Sequence, residues 1–149
     1  MIIPPALIQP ASPQAQIAAV LDDFHLAAAQ ADESRYFGHL DEGAVFLGTD
    51  ATERWTKAQF QAYAHPYFAK GKAWSFHATR RAITVSADGR AAWFDEDLTT
   101  PNLGPCRGSG VLLQRDGVWK IAQYNLALTV PNGVAKEVKA RIEAFTSSK

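Results

Sequence analysis

The tightest constraint on this chain is the dipeptide Asp116-Gly117, set between two runs of strand-forming residues in RGSGVLLQRDGVWKIAQYNLAL, Arg107 to Leu128. Asp-Gly in that position is the usual composition of a two-residue type I′ hairpin turn, and such a turn fixes strand register. Counting outward, Gln114 faces Trp119, Leu112 faces Ile121, Gly110 faces Gln123 and Gly108 faces Asn125, all on one face because strand side chains alternate. One end of that face is apolar, with Leu112, Trp119 and Ile121. At the other end two amides look across at two glycines, which leaves room for a pocket with an apolar floor and a few orienting polar groups. The same glycines have a second reading, in which they mark a bulge or sharp bend and the amides face water.

The remaining chain places elements around this hairpin. Ser12-Pro13 is a helix start, serine as N-cap and proline at the first helical position, and Ile17, Val20, Leu21, Phe24 and Ala28 then form one apolar stripe to about Ala31. His25 lies just off the stripe and reads as a boundary residue. Glu33 to Leu40 predicts one or two helical turns with Tyr36 and Phe37 inward, and Ala44 to Leu47 a short buried strand. Asp50 then stands at a strand end, where an acid either looks into a cavity or bonds its own turn. Thr56 and Gln59 make a capping box ahead of a helix over 57–70, with Pro66 expected to kink or break it. His65 beside the proline reads as solvent-facing. Trp74 to Val85 and Arg90 to Thr100 form a second hairpin about Asp88-Gly89. Its counting sets Ile83 opposite Phe94, Val85 opposite Ala92 and Arg81 opposite Glu96 on the greasier face, so that Arg81 and Glu96 fall at the cavity mouth. Val134, Val138, Ile142 and Phe145 make the narrow stripe of a C-terminal helix, to be packed on its own domain or on a partner chain.

The plan is α+β, a strongly curved antiparallel sheet with helices on its concave side. The expected division is an arm over 1–11, one domain over 12–130 and an amphipathic tail over 131–149. With 149 residues, 47% of them apolar and 20% charged, the chain is long enough for one well-buried core. Fifteen basic and fifteen acidic residues cancel, so the charge expected of a nucleic-acid binder is missing. No stretch reaches the ~20 apolar residues of a membrane span. The opening MIIPPALIQPASP lacks the basic start of a signal peptide, and the expected location is the cytoplasm. Cys106, the single cysteine, reads as a bystander. Neither a metal-ligand spacing nor a phosphate loop is present, and no metal or cofactor is expected.

GSGVLLQRD followed by GVWKIAQYN resembles the terminal hairpin of the nuclear transport factor 2-like superfamily, in particular its SnoaL-like branch. FLGTDATERWT with the aromatic helix after it is similar to that fold's first strand and third helix. The likeness covers roughly Ala15 to Leu128, and implies a cone-shaped roll of the cystatin-like kind. The cavity of that roll hosts isomerases, dehydratases, cyclases, epoxide hydrolases and non-catalytic binders. In the ketosteroid isomerase-like members a carboxylate at the end of the first strand moves a proton, and Asp50 occupies the similar place. Their oxyanion-stabilising tyrosine falls on Phe24, and their second acid near Gly108 or Gly110. Loss of two such donors, each worth on the order of 3 kcal/mol, argues against enolisation chemistry. SnoaL-like relatives often carry pocket histidines where Gln123 and Asn125 stand, and amides there point to recognition.

Three readings result. The first is a binding module for a small, mostly apolar molecule, with Tyr36, Trp55, Tyr63, Phe94 and Trp119 lining the cavity. Gln123, Asn125 and the Arg81/Glu96 pair orient the ligand. The second is an isomerase, dehydratase or cyclase using Asp50 as general base, which requires that carboxyl to be buried with its pKa raised. The third is a homodimer formed through the outer sheet face around Trp93, compatible with either of the others.

Overall fold

A computed structural model describes residues 9–149, so residues 1–8 of the expected N-terminal arm lie outside the described residues. The elements are α1 (Pro13–Ala29), α2 (Glu33–Gly38), β1 (Leu40–Leu47), β2 (Arg54–Thr56), α3 (Lys57–Ala69), β3 (His77–Val85), β4 (Ala91–Thr100), β5 (Gly104–Arg115), β6 (Val118–Leu128), a 3₁₀ turn (Asn132–Val134) and α4 (Ala135–Ser147). The strands form one sheet in the order β2-β1-β6-β5-β4-β3. Every ladder is antiparallel except β1 on β6, which is parallel.

Local chemistry sets the helix boundaries. Ser12 caps α1, its hydroxyl accepting from Ala15 N–H, and Pro13 occupies the first turn. The stripe Ile17, Leu21, Phe24 and Ala28 is buried against the sheet. Thr56 and Gln59 close a reciprocal capping box at the start of α3. Of the kink or break expected at Pro66, the break does not occur: α3 runs on through it. The proline sits in the last turn, where its missing N–H removes a single backbone bond.

Both hairpins hold their register at the turn. Asp116 (φ 51°) and Gly117 (φ 77°) are both left-handed, as a type I′ turn requires. In the β3–β4 connection only Gly89 is left-handed (φ 71°), and the Asp88 carboxylate ties the loop by accepting from Arg90 N–H and the Ser86 hydroxyl. The pairs Arg81/Glu96, Ile83/Phe94 and Val85/Ala92 still face one another as counted.

The central hairpin departs from regular counting halfway along. Gln114 pairs with Trp119 and Leu112 with Ile121, but the next pair is Val111 with Gln123, which leaves Ala122 as a bulge. Beyond it Gly110 pairs with Tyr124, Ser109 with Asn125 and Gly108 with Leu126. One extra residue in a period of two exchanges the faces. Tyr124 is therefore buried where Gln123 and Asn125 had been expected, Gln123 is exposed, and Asn125 is half-buried on the outer side. The glycines serve this change. A Cβ on Gly110 would lie 1.9 Å from the Gln123 carbonyl oxygen, and one on Gly108 would lie 2.2 Å from the Tyr124 hydroxyl. The space beside Gly110 is filled by the Gln123 backbone and that beside Gly108 by the end of the Tyr124 side chain.

No residue of α4 is buried, and Ile142 (60%) and Phe145 (64%) are among its exposed side chains. No helix of the described residues is long and apolar enough to cross a membrane.

Gly110→Ala should destabilise the fold by about 1–3 kcal/mol, because the clash is with backbone that cannot turn aside. Urea unfolding measures it, and Gly133→Ala, where an added Cβ meets nothing within 4 Å, is the control.

Candidate functional site

Helices α1, α2 and α3 close one face of the sheet and leave an open-mouthed cavity of about 200 Å³. Nine aromatic side chains line it. Phe24 from α1 stacks on Tyr36 from α2, with ring centroids 4.2 Å apart. Phe60 from α3 is the centre of a second stack: Phe46, Trp55 and Trp74 all lie within 20° of its plane, Phe46 at 3.9 Å. Tyr63 lies against Trp55 at the mouth (4.7 Å, 23°) and is partly exposed. Phe76 and Tyr124 complete the aromatic set, and Leu103 and Leu126 add aliphatic surface.

Four lining residues are not hydrophobic: His25, Gly48, Thr49 and Glu53. Glu53 sits on the turn between β1 and β2. Its carboxylate lies over Gly48, where a Cβ would be 2.0 Å from Oε2, and it accepts the Asp50 N–H at 3.3 Å.

Behind the wall stands a buried charge network. Glu96, with no solvent exposure, accepts from His25 Nε2 at 2.6 Å and from the Tyr124 hydroxyl at 2.8 Å on Oε1, and from Arg81 Nε at 2.8 Å on Oε2. Burial alone would raise the Glu96 pKa, but the hydrogen bonds and charges of His25 and Arg81 outweigh it and hold the carboxyl below its ordinary value. An ionised carboxylate can only accept, so His25 Nε2 carries the hydrogen it shares. In a neutral imidazole that leaves Nδ1 as an acceptor. Arg81 also bonds Asp22 at 2.8 Å, pinning β3 to α1. Burial, then the Glu96 charge, push the Tyr124 hydroxyl well up, so it serves as a donor.

Of the residues expected from the sequence, Tyr36, Trp55 and Tyr63 line the cavity. Phe94 is buried one layer behind, its ring 5.8 Å from that of Tyr124. Trp119 is buried in the core with its indole N–H unpartnered. Arg81 and Glu96 form their ion pair, but beneath the wall and not at the mouth. The bulge puts Gln123 and Asn125 on the opposite face, so neither reaches the cavity. Asp50 is corrected as well. Its carboxylate is exposed and accepts from Thr52 N–H at 2.8 Å and the Thr52 hydroxyl at 2.6 Å, which hold its pKa below the ordinary value. A general base needs the reverse. The Asx-turn reading of Asp50 is the one the geometry matches.

Sequence reasoning missed His25, Glu53 and Tyr124. His25 stands four residues after Leu21 and three before Ala28, which is core spacing, but a lone imidazole gave no hint of the carboxylate that meets it from β4. His65, by contrast, is solvent-facing as read, paired with Glu33. Cys106 is buried, away from the cavity, and burial raises its pKa. No group of metal-ligating side chains occurs among the described residues.

An α+β cone with an aromatic cavity on the concave side defines the class, and the comparisons agree. A family model, the SnoaL-like domain, matches residues 17–131, so the chain belongs to that family. Its structure is similar to that of an NTF2-like protein of unknown function from Pseudomonas putida (10% identity, 83% of this chain and 92% of that one, TM-score 0.66). It is also similar to a cystatin-like protein of unknown function from Nostoc punctiforme (11% identity, 78% and 90%, TM-score 0.66). A third likeness is to a protein proposed to be a scytalone dehydratase from Novosphingobium aromaticivorans (12% identity, 78% and 84%, TM-score 0.65). No curated protein sequence matches the chain.

The Glu96 network has a pH signature. A carboxyl whose pKa is depressed on folding contributes stability that is full above its ordinary value, 4.5, and is lost as pH falls through the lower folded value. Glu96→Gln should cost about 3–5 kcal/mol at neutral pH by removing the buried charge that Arg81 and His25 face, Arg81 keeping only the more exposed Asp22. Its stability should also fall less steeply than wild type below pH 4.5 in urea titrations.

Proposed function

We propose that this chain is a binding module whose cone cavity takes a small, flat, mostly apolar molecule. The observation that carries the reading is the enclosure of about 200 Å³ by nine aromatic side chains. An apolar cavity of roughly 150 Å³ holds a benzene ring, so the enclosed part of the ligand is a substituted single ring or a small bicycle. A steroid skeleton would have to project through the mouth. Affinity comes from desolvating flat apolar surface, and orientation from the groups at the two ends, Glu53 at the mouth and His25 in the wall.

Ligand at about 100 times its Kd adds roughly 2.7 kcal/mol to stability, which for a domain of this size shifts Tm upward by about 5–10 °C. A thermal-shift screen of small aromatic metabolites should yield such compounds. Tyr63→Ala, at the exposed rim, should weaken the shift, and Asn125→Leu, on the outer face, should leave it unchanged. Equal sensitivity of both variants, or no stabilising compound, would remove the reading.

We also infer that the outer sheet face pairs two copies of the chain. Trp93 is 52% exposed on β4, with Val111 and then Gln123 beside it across the sheet. A large aromatic at the middle of a sheet face is a common interface anchor. Light scattering should give twice the chain mass, and Trp93→Glu should return it to one.

A further inference from the structure

Building on the cavity reading above, we propose that the site selects an organic ammonium: a small aromatic or apolar molecule carrying a fixed or protonated amine, with the cation at the rim between Glu53, Trp55 and Tyr63. Three observations carry this.

The first is the charge of the wall. Among the described residues that line the cavity there is no lysine or arginine. His25 is the one basic side chain there, and its Nε2 is committed to Glu96, a carboxylate already facing Arg81. Glu53 is different. Among the described residues it takes part in no ion pair, and its one side-chain hydrogen bond comes from the Asp50 backbone. Arg54, next in the chain, alternates with Trp55 along β2 and leaves by the other side. Lys149 acts on Asp50, outside the cavity lining. The rim therefore carries a net negative charge that nothing in the lining offsets.

The second is where that charge sits. Gly48 has no side chain, and the Glu53 carboxylate occupies the space a Cβ would need. The acid is thus drawn in over the β1 end instead of trailing in solvent. Its charge is felt at the Tyr63 hydroxyl, where burial, Tyr67 and then Glu53 raise the pKa.

The third is the company it keeps. Trp55 stacks on both Phe60 and Tyr63, so the half-exposed Tyr63 is the ring presented at the rim that Glu53 shares, and Tyr67 continues the aromatic surface outward at 5.7 Å from Tyr63. Aromatic faces are negative, and a cation placed over Trp or Tyr is attracted most strongly where water is thin. A carboxylate beside aromatic faces recognises an alkylated or protonated nitrogen. It repels a carboxylate ligand and offers a neutral one at most a hydrogen bond.

The test compares three meta-substituted phenols by isothermal titration: 3-hydroxyphenyltrimethylammonium, its uncharged isostere 3-tert-butylphenol, and the anion 3-hydroxybenzoate. The cation should bind about tenfold or more tighter than the phenol, and the benzoate weakest. Glu53→Gln should erase most of that preference, lowering the affinity of the cation far more than that of the phenol, while leaving the melting temperature near wild type. Raising salt from about 50 to about 500 mM should weaken the cation more than the phenol, a check that needs no variant. If the phenol binds as tightly as the cation, or Glu53→Gln lowers both alike, the ammonium inference falls while the aromatic cavity stands as a ligand site. If none of the three binds, the ammonium inference falls, and the metabolite screen decides the cavity separately.

Discussion

The bulge at Ala122 rotates the outer half of β6 by one pleat, and the contacts of Tyr124 and Leu126 with the cavity follow from that rotation. It is possible because Gly110 lets the Gln123 carbonyl approach where a side chain would stand, and because Gly108 accepts the end of the tyrosine ring. The two glycines and the tyrosine act as one device. Without the first two the ring has no seat, and without the ring the glycines would leave a hole in the middle of a sheet.

Tyr124 in turn reaches the buried carboxylate. Glu96 is expensive to bury, and it is tolerated because three donors from three different elements converge on it: His25 from α1, Arg81 from β3 and Tyr124 from β6. A network of this kind favours one relative placement of helix and strands, since each member is satisfied only when the others are in place. It sets the polar centre of the protein behind a cavity wall that is mainly aromatic. Glu53 is the one carboxylate in the lining.

The fold was largely legible from local rules. Asp116-Gly117 declared its turn, Ser12-Pro13 and Thr56 with Gln59 declared their helix starts, and the Arg81/Glu96 pairing followed from counting about Asp88-Gly89. The site was legible only in part. Tyr36, Trp55 and Tyr63 were recoverable because aromatic residues at helical or strand spacing near a sheet end point inward. Gln123 and Asn125 were misplaced because strand alternation carries no marker for a bulge except the glycines opposite it, and these admit two readings. Asp50 was ambiguous for a similar reason, since the hydroxyl and N–H of Thr52 that capture it are a property of the folded turn. His25 needed a partner 71 positions away, a pairing that topology creates and periodicity does not announce.

The ring planes around Phe60 give the cavity a grain. Phe46, Trp55 and Trp74 all lie within 20° of one orientation, so the walls are layered like slate. On the binding role proposed above, a guest that slid in along the layers would extend the stack, while one with substituents standing off its plane would have to pry neighbouring rings apart. In that role, such a slot would gauge its visitors by thickness before it gauged them by length.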